Sequence, residues 1–221
     1  VAWRANERCN QFAFLLAGFW VAVVGASPDA TRLGHRVLRN ILDNGFAGRV
    51  IPIHTTAATI LDLAAFPSVM AVPGAIDLAV IVIPARGVLA VVDECGRKGV
   101  KALVVISAGF KEVGGEGREL ERELLEIVRR YGMRMVGPNC LGIINTDPRV
   151  SVNASLSPLV PGRGRVGLFC QSGALGVTVL ETVARRGLGL SSFVSAGIRA
   201  DVSANDLLQY WEDDDRTQIV L

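Results

Sequence analysis

Met135-Val136-Gly137-Pro138-Asn139-Cys140-Leu141-Gly142-Ile143-Ile144-Asn145-Thr146 divides the chain into two stretches. Upstream of it, hydrophobic strands alternate with helical segments. Downstream, a polar, proline-bearing stretch is followed by the same alternation. Arg134–Val136 reads as a strand end entering a turn. Pro138 has no backbone N–H and disfavours a helical conformation at Gly137, while the flanking glycines permit tight turns. In open α/β sheets ligands sit at the carboxyl ends of strands. The turn is therefore either a ligand contact or only the join between two units.

Working back from it, Glu116–Tyr131 carries Leu120, Leu124, Leu125, Ile127 and Val128 on one side and charges on the other, an amphipathic helix for a sheet surface. Ala102–Ser107 reads as a buried strand, preceded by helical Val88–Arg97 and Gly99. Asp77–Pro84 is a continuous β-rich run, as in strands covered on both faces. Arg49–His54 is another strand. Val37, Leu38, Ile41 and Leu42 recur at helical spacing, with Asn44-Gly45 as the stop. Val21–Val24 is the first strand, and Gly25 to Gly34 its loop. Repeated βαβ units with short connections predict a Rossmann-like parallel sheet.

Working forward, Asp147 to Arg165 contains Pro148, Pro158 and Pro161 and reads as a linker. Val166–Cys170 then predicts a strand, Gly173–Arg186 a helix, Leu190–Ser195 a strand and Ser203–Trp211 a helix. Ser203 suits an N-cap, with Asp206 in the first turn. Thr217–Leu221 starts a further strand. The expected division is 1–147 for the first domain and 148–221 for a second one that is only partly present. The chain starts without methionine and stops in an apolar run, so both ends read as cut.

Half of the residues are apolar and 20% are charged, ample for a covered parallel sheet. A net charge of +2 supplies no polybasic surface for nucleic acid. Cys9, Cys95, Cys140 and Cys170 are widely spaced, which argues against a zinc site and for reduced thiols in a cytoplasmic protein. Phe12–Val24 resembles the apolar part of a signal peptide but is too short to span a bilayer, and Val21–Val24 suits the first strand better.

Three places can carry chemistry. Gly25 and Gly34 are too far apart for a compact dinucleotide fingerprint, and no Walker lysine follows. A loop with Ser27, Thr31 and Arg32 can still hold a phosphate at a helix start, or be an ordinary turn. Strand two ends in Pro52-Ile53-His54, without the carboxylate that grips a ribose diol, which disfavours plain NAD binding and a redox regulator of that type. Phe169-Cys170-Gln171-Ser172-Gly173-Ala174-Leu175-Gly176 can be a phosphate cradle, a structural turn or a nucleophile turn. The last lacks the glycine two residues before the serine. His35 reads as a surface or capping residue, Glu212–Asp215 as a solvated turn, and Tyr210 and Trp211 as packing.

Together these blocks resemble the N-terminal part of NDP-forming acyl-CoA synthetases, the acetate–CoA ligase branch of the succinyl-CoA synthetase superfamily. The resemblance rests on Val23–Ser27, Val82–Ala85, Ile106–Phe110, Gly137–Gly142, Gln171–Gly176 and Arg199–Ser203, in that order. It implies a Rossmann-like CoA-binding domain followed by the start of a flavodoxin-like ligase domain. CoA would touch Gly25, Ala26, Ser27, Arg32 and Gly34, then Pro52 and His54, Ile83, Pro84 and Ala85, Ser107, Ala108, Gly109 and Phe110, and Asn139. Ser172, Gly173 and Ala174 would face the phosphate of a phosphohistidine expected beyond Leu221, so no catalytic residue and no metal ligand is expected within the chain. Departures are His54-Thr55 where Asn-Pro is usual, Cys170 for serine and Ile198 for asparagine.

By the resemblance, the complete enzyme interconverts acyl-CoA, ADP and phosphate with carboxylate, ATP and CoA. It would use Mg2+ and an ATP-grasp domain or subunit, as a cytoplasmic oligomer with no nucleic-acid or membrane partner. The alternative is a CoA- or acyl-CoA-sensing module of a protein lysine acetyltransferase.

Overall fold

The computed structural model describes residue 16 and residues 19–221. Most of the apolar segment before Trp20 therefore lies outside the described residues. Its end is the first strand, β1 (Trp20–Val24). The other strands of the first sheet are β2 (Arg49–Ile53), β5 (Leu78–Ile81), β6 (Ala102–Val105) and β7 (Arg134–Val136). They pair in the order β2-β1-β5-β6-β7, all parallel. A small hairpin, β3 (Thr59–Ile60) and β4 (Leu63–Ala64), interrupts the path from β2 to β5. Nothing in its short, half-exposed sequence signals it.

Among the described residues, helices α1 (Leu33–Asp43), α2 (Val88–Lys98) and α3 (Gly115–Arg130) cover this sheet. Val37, Leu38 and Ile41 of α1 are buried in one cluster with Val21, Val23, Val80 and Val104. Val88, Val92 and Cys95 of α2 and Leu124 and Val128 of α3 fill the opposite face against Val24, Ile81, Leu103 and Val105. Both faces are thus apolar, which is why these strands read as unbroken β-branched runs.

The second sheet has the order β12-β10-β11-β8-β9. Its members are β8 (Gly142–Asn145), β9 (Val152–Ser155), β10 (Gly162–Cys170), β11 (Gly189–Ser195) and β12 (Ile219–Val220). β10 runs parallel to β11 and β12, whereas β8 is antiparallel to β11 and β9. Helices α4 (Gly173–Arg185) and α5 (Ala204–Glu212) complete the unit. Ser203 caps α5 in a reciprocal capping box with Asp206. Trp211 is a packing residue whose Nε1 donates to Ser192 Oγ at 2.8 Å.

The stretch from Asp147 to Arg165 is not a linker. It contains β9 and the start of β10 (Gly162–Arg165), and β8 belongs to the second sheet, so a cut after Asp147 would separate the two strands of one hairpin. The polar residues that suggested a loop are buried and bonded: Ser155 Oγ donates to Asn153 Oδ1 at 2.6 Å, and Asn153 Nδ2 to the Ser157 carbonyl at 3.1 Å. The acidic run at the end of α5 is solvent-exposed at Glu212, Asp213 and Asp215, as a solvated turn requires, and departs from that only at Asp214. Asp214 is largely buried, accepting from Arg216 Nε at 2.8 Å and Thr217 Oγ1 at 2.7 Å.

The two sheets meet along the segment Met135–Cys140. The carbonyls of Met135, Gly137 and Pro138 accept from the amides of Val202, Ala200 and Ile198, at 3.1, 3.1 and 2.9 Å. Arg134 pairs with Asp201 at 3.1 Å and Asp206 at 3.2 Å, tying the start of β7 to the cap of α5. Helix α1 reaches the hairpin through Asn40, whose Nδ2 donates to the carbonyls of Ser155 and Ser157. Among the described residues, no helix is long and apolar enough to cross a membrane.

Candidate functional site

Register decides where the loops of the first sheet converge. Val24 pairs with Ile53 and Ile81, Ile81 with Val105, and Val104 with Val136. The strands therefore end nearly in line, and their following loops surround one open cavity of about 820 Å³. Of the residues expected from sequence, Gly25, Ala26, Ser27, Arg32, Gly34, His54, Ile83, Pro84, Ser107, Ala108 and Asn139 line it. Pro52, Ala85, Gly109 and Phe110 do not. Pro52 lies inside the edge strand β2 opposite Val23, a position that tolerates its missing N–H, and it is buried. Phe110 is fully buried in the core against α3. Pro28, Asp29, Leu33, Val82, Ile106, Cys140 and Leu156 complete the lining. Leu156 comes from beyond β9, and no sequence signal marks it.

The first loop is held by close backbone approach. Gly25 has φ +88°, and a Cβ there would stand 2.3 Å from the Val82 carbonyl oxygen. A Cβ on Gly34 would stand 1.9 Å from the Gly25 carbonyl oxygen, so α1 starts directly on the β1 turn. The amides of Gly25 and Ala26 are already engaged, donating to the carbonyls of Ile53 (3.1 Å) and Val23 (3.4 Å). They shape the floor and are not anion donors. Further donors are the Ser27 hydroxyl, the exposed Arg32 guanidinium, which pairs with Asp29 at 3.6 Å, and the start of α1, which has no side-chain cap. A helix start of this kind, with free N–H groups and a positive dipole end, suits an anion.

Two polar side chains on the rim have defined states. His54 Nδ1 accepts from the amides of Thr56 (3.2 Å) and Ala57 (2.9 Å), which fixes the imidazole proton on Nε2 when the ring is neutral. Ser107 Oγ accepts from the Ile83 amide at 3.1 Å and donates to the Ile81 carbonyl at 3.4 Å. It locks the β5 and β6 loops to each other. His35, in contrast to a surface position, is buried, with Nδ1 2.8 Å from the Ser27 carbonyl oxygen.

A second cavity of about 560 Å³ adjoins the first, sharing Asn139, Cys140 and Leu156 with it. Gln171, Ser172, Gly173 and Ala174 at the start of α4 line it, together with Lys111, Glu112, Leu141, Gly197 and Ile198. Ser172 Oγ accepts from the Leu175 amide at 3.3 Å, the N-cap of α4. This employs the hydroxyl as a cap, while Gly173 and Ala174 of the same first turn line the cavity. Neither histidine lines this cavity, so no histidine base stands beside Ser172. Burial pushes the Cys140 thiol up to about 12 and raises that of Cys170 as well, which keeps both as protonated packing groups.

The family described as CoA binding domain matches residues 20–146, more than half of the chain, and that described as Succinyl-CoA ligase like flavodoxin domain matches residues 163–221. The chain is 46% identical over 201 residues to the ADP-forming acetate–CoA ligase I of Archaeoglobus fulgidus, covering 91% of this chain and 29% of that protein. It is 38% identical over 205 residues to the alpha subunit of ADP-forming acetate–CoA ligase I of Pyrococcus furiosus, covering 91% of this chain and 44% of that one. It thus spans less than half the length of these relatives. Among solved structures, the dinucleotide-forming acetyl-coenzyme A synthetase 1 of Ca. Korarchaeum cryptofilum, in complex with phosphate and ADP, superposes with a TM-score of 0.90 at 40% identity. That match covers 96% of this chain and 45% of that one.

Proposed function

Because the chain belongs to the CoA binding domain family, we propose that the 820 Å³ cavity at its strand ends takes coenzyme A, as one part of an ADP-forming acyl-CoA synthetase. The observation that carries this is the convergence of five strand-end loops on one cavity that opens onto a second, anion-suited one. In this reading the pyrophosphate of CoA meets Ser27, Arg32 and the uncapped start of α1, and His54 Nε2 offers a further donor. The pantetheine runs past Ile83, Pro84, Ser107 and Ala108. The thiol passes Asn139 into the second cavity, where the α4 start at Ser172–Ala174 stabilises a transferring phosphoryl group.

The reaction of the complete protein would be acyl-CoA, ADP and phosphate to and from carboxylate, ATP and CoA. A phosphohistidine outside these residues, an ATP-grasp domain or subunit, and Mg2+ with ATP or ADP belong to this proposal. So do an oligomeric assembly, a cytoplasmic location and the division of the chain into a CoA-binding and a ligase-type unit. The relatives' names support it, and they favour a ligase over an acyl-CoA sensor. Calorimetric titration tests it. The chain is expected to bind CoA with a Kd in the micromolar range or weaker, about 8 kcal/mol or less. Tighter binding of NADH than of CoA would overturn the reading.

A further inference from the structure

We propose that Glu112 is a positioning residue for the CoA cleft: its carboxylate is a built-in anion that holds the Ser107–Phe110 loop in its binding shape. The inference rests on the CoA reading and adds a residue that lies outside the cleft.

The loop after β6 serves both cavities. Ser107 and Ala108 line the first, and Lys111 and Glu112 line the second. Its two ends are anchored. Ser107 is bonded through Oγ to the β5 loop, and its carbonyl accepts from the Asn139 amide at 2.9 Å. At the other end the Phe110 ring is fully buried, and Lys111 bridges Glu121 at 3.4 Å and the Ile198 carbonyl at 3.3 Å. Between the anchors lies Gly109, with φ +109° and only 2.9 Å between a built Cβ and Ala85 Cβ. Such a residue has wide conformational freedom and no side chain to restrain it.

What restrains it is Glu112. Oε1 accepts from the Gly109 amide at 2.6 Å, and Oε2 from the Phe110 amide at 3.1 Å. Two successive backbone amides aimed at one anion form the kind of concavity that elsewhere takes a phosphate. Here the chain fills it itself. Gly109 and Phe110, expected to touch CoA, therefore act on it only through the shape of Ala108 and Ser107. Without the carboxylate, CoA would have to order this turn on binding, at the expense of affinity.

The test uses Glu112→Ala and the volume-matched Glu112→Gln, which keeps one acceptor oxygen. CoA affinity by calorimetry and amide hydrogen exchange at Gly109 and Phe110 by NMR are measured on both and on the unaltered chain. Glu112→Ala is expected to weaken CoA about tenfold and Glu112→Gln less, in keeping with the strength of charge-assisted bonds. In Glu112→Ala both amides, and in Glu112→Gln the one that loses its acceptor, exchange faster in the free protein and regain protection when CoA binds, a recovery that a general loss of stability does not produce. Unchanged CoA affinity in Glu112→Ala overturns the inference and leaves the CoA reading standing. Weakened affinity with unchanged exchange at both amides overturns it too. Absence of CoA binding by the unaltered chain removes the CoA reading, and the inference with it.

Discussion

Gly25→Ala perturbs the turn on which the cleft is built, and the cost follows from two separate causes. The first is conformational. At φ +88° an alanine occupies backbone space that costs an L-residue about 1–2 kcal/mol. The second is space. The new methyl group would lie 2.3 Å from the Val82 carbonyl oxygen and 2.7 Å from Ile83 Cγ2. One of these neighbours is backbone in the β5 loop, and retreat towards α1 is blocked because Gly34 already touches the Gly25 carbonyl. Overpacking of this kind costs about 1–3 kcal/mol. The sum is about 3 kcal/mol of folding stability, or about 6–12 °C in Tm for a chain of this size. Gly45→Ala separates the two causes, since Gly45 has φ +69° but open space around it, and should cost only the conformational part. Urea unfolding followed by circular dichroism reads stability, and calorimetry on the folded variant reads CoA. The Val82–Pro84 wall must shift to admit the methyl, so CoA should bind at least about tenfold more weakly, near 1.4 kcal/mol. Stability equal to that of Gly45→Ala, or full CoA affinity in folded Gly25→Ala, would refute the reasoning.

Two further outcomes concern the joints between the sheets. Arg134→Met keeps the stem but removes the charge shared by Asp201 and Asp206; both carboxylates retain amide partners, so the loss should stay near 2–3 kcal/mol, below the range for orphaned buried charges. Urea unfolding checks it, and a loss under about 0.5 kcal/mol, as at ordinary surface sites, would show that the clasp contributes little. Asp147 is held at about 2, below the usual 3.8, chiefly by hydrogen bonding from Arg149 and also by the charge of Arg216. A depressed carboxyl stabilises the fold above its unfolded value and loses that contribution as pH falls from about 4 to about 2. Asp147→Asn should therefore cost about 2 kcal/mol near neutral pH and almost nothing near pH 2, so that the two stability-versus-pH curves converge in acid; parallel curves would count against the assignment.

The hairpin β8–β9 shows where the sequence is hard to read. Gly142–Asn145 looked like the tail of a turn and Val152–Ser155 like a linker, since its alternate positions are Asn153 and Ser155. Their polarity is satisfied inside the hairpin and against Asn40 of α1, a partner far away in the chain. The N-cap at Ser203, with Asp206 in the first turn, was legible because all its atoms lie within one helical turn. The cleft was legible in outline for a similar reason. Four of the five strand ends carry their own local mark: Gly25 after β1, Pro84 after β5, Ser107-Ala108-Gly109 after β6 and Gly137-Pro138 after β7.

By itself the sequence determined the parallel order of elements and the loops that gather at the strand ends, because continuous β-branched runs and helical spacing are properties of neighbouring residues. Only the tertiary structure decided which backbone donors in those loops remain free. The amides of Gly25 and Ala26 are taken by Ile53 and Val23, and those of Gly109 and Phe110 by Glu112. A buried amide must find an acceptor, and which acceptor is within reach depends on the register of strands and the path of turns across the whole sheet.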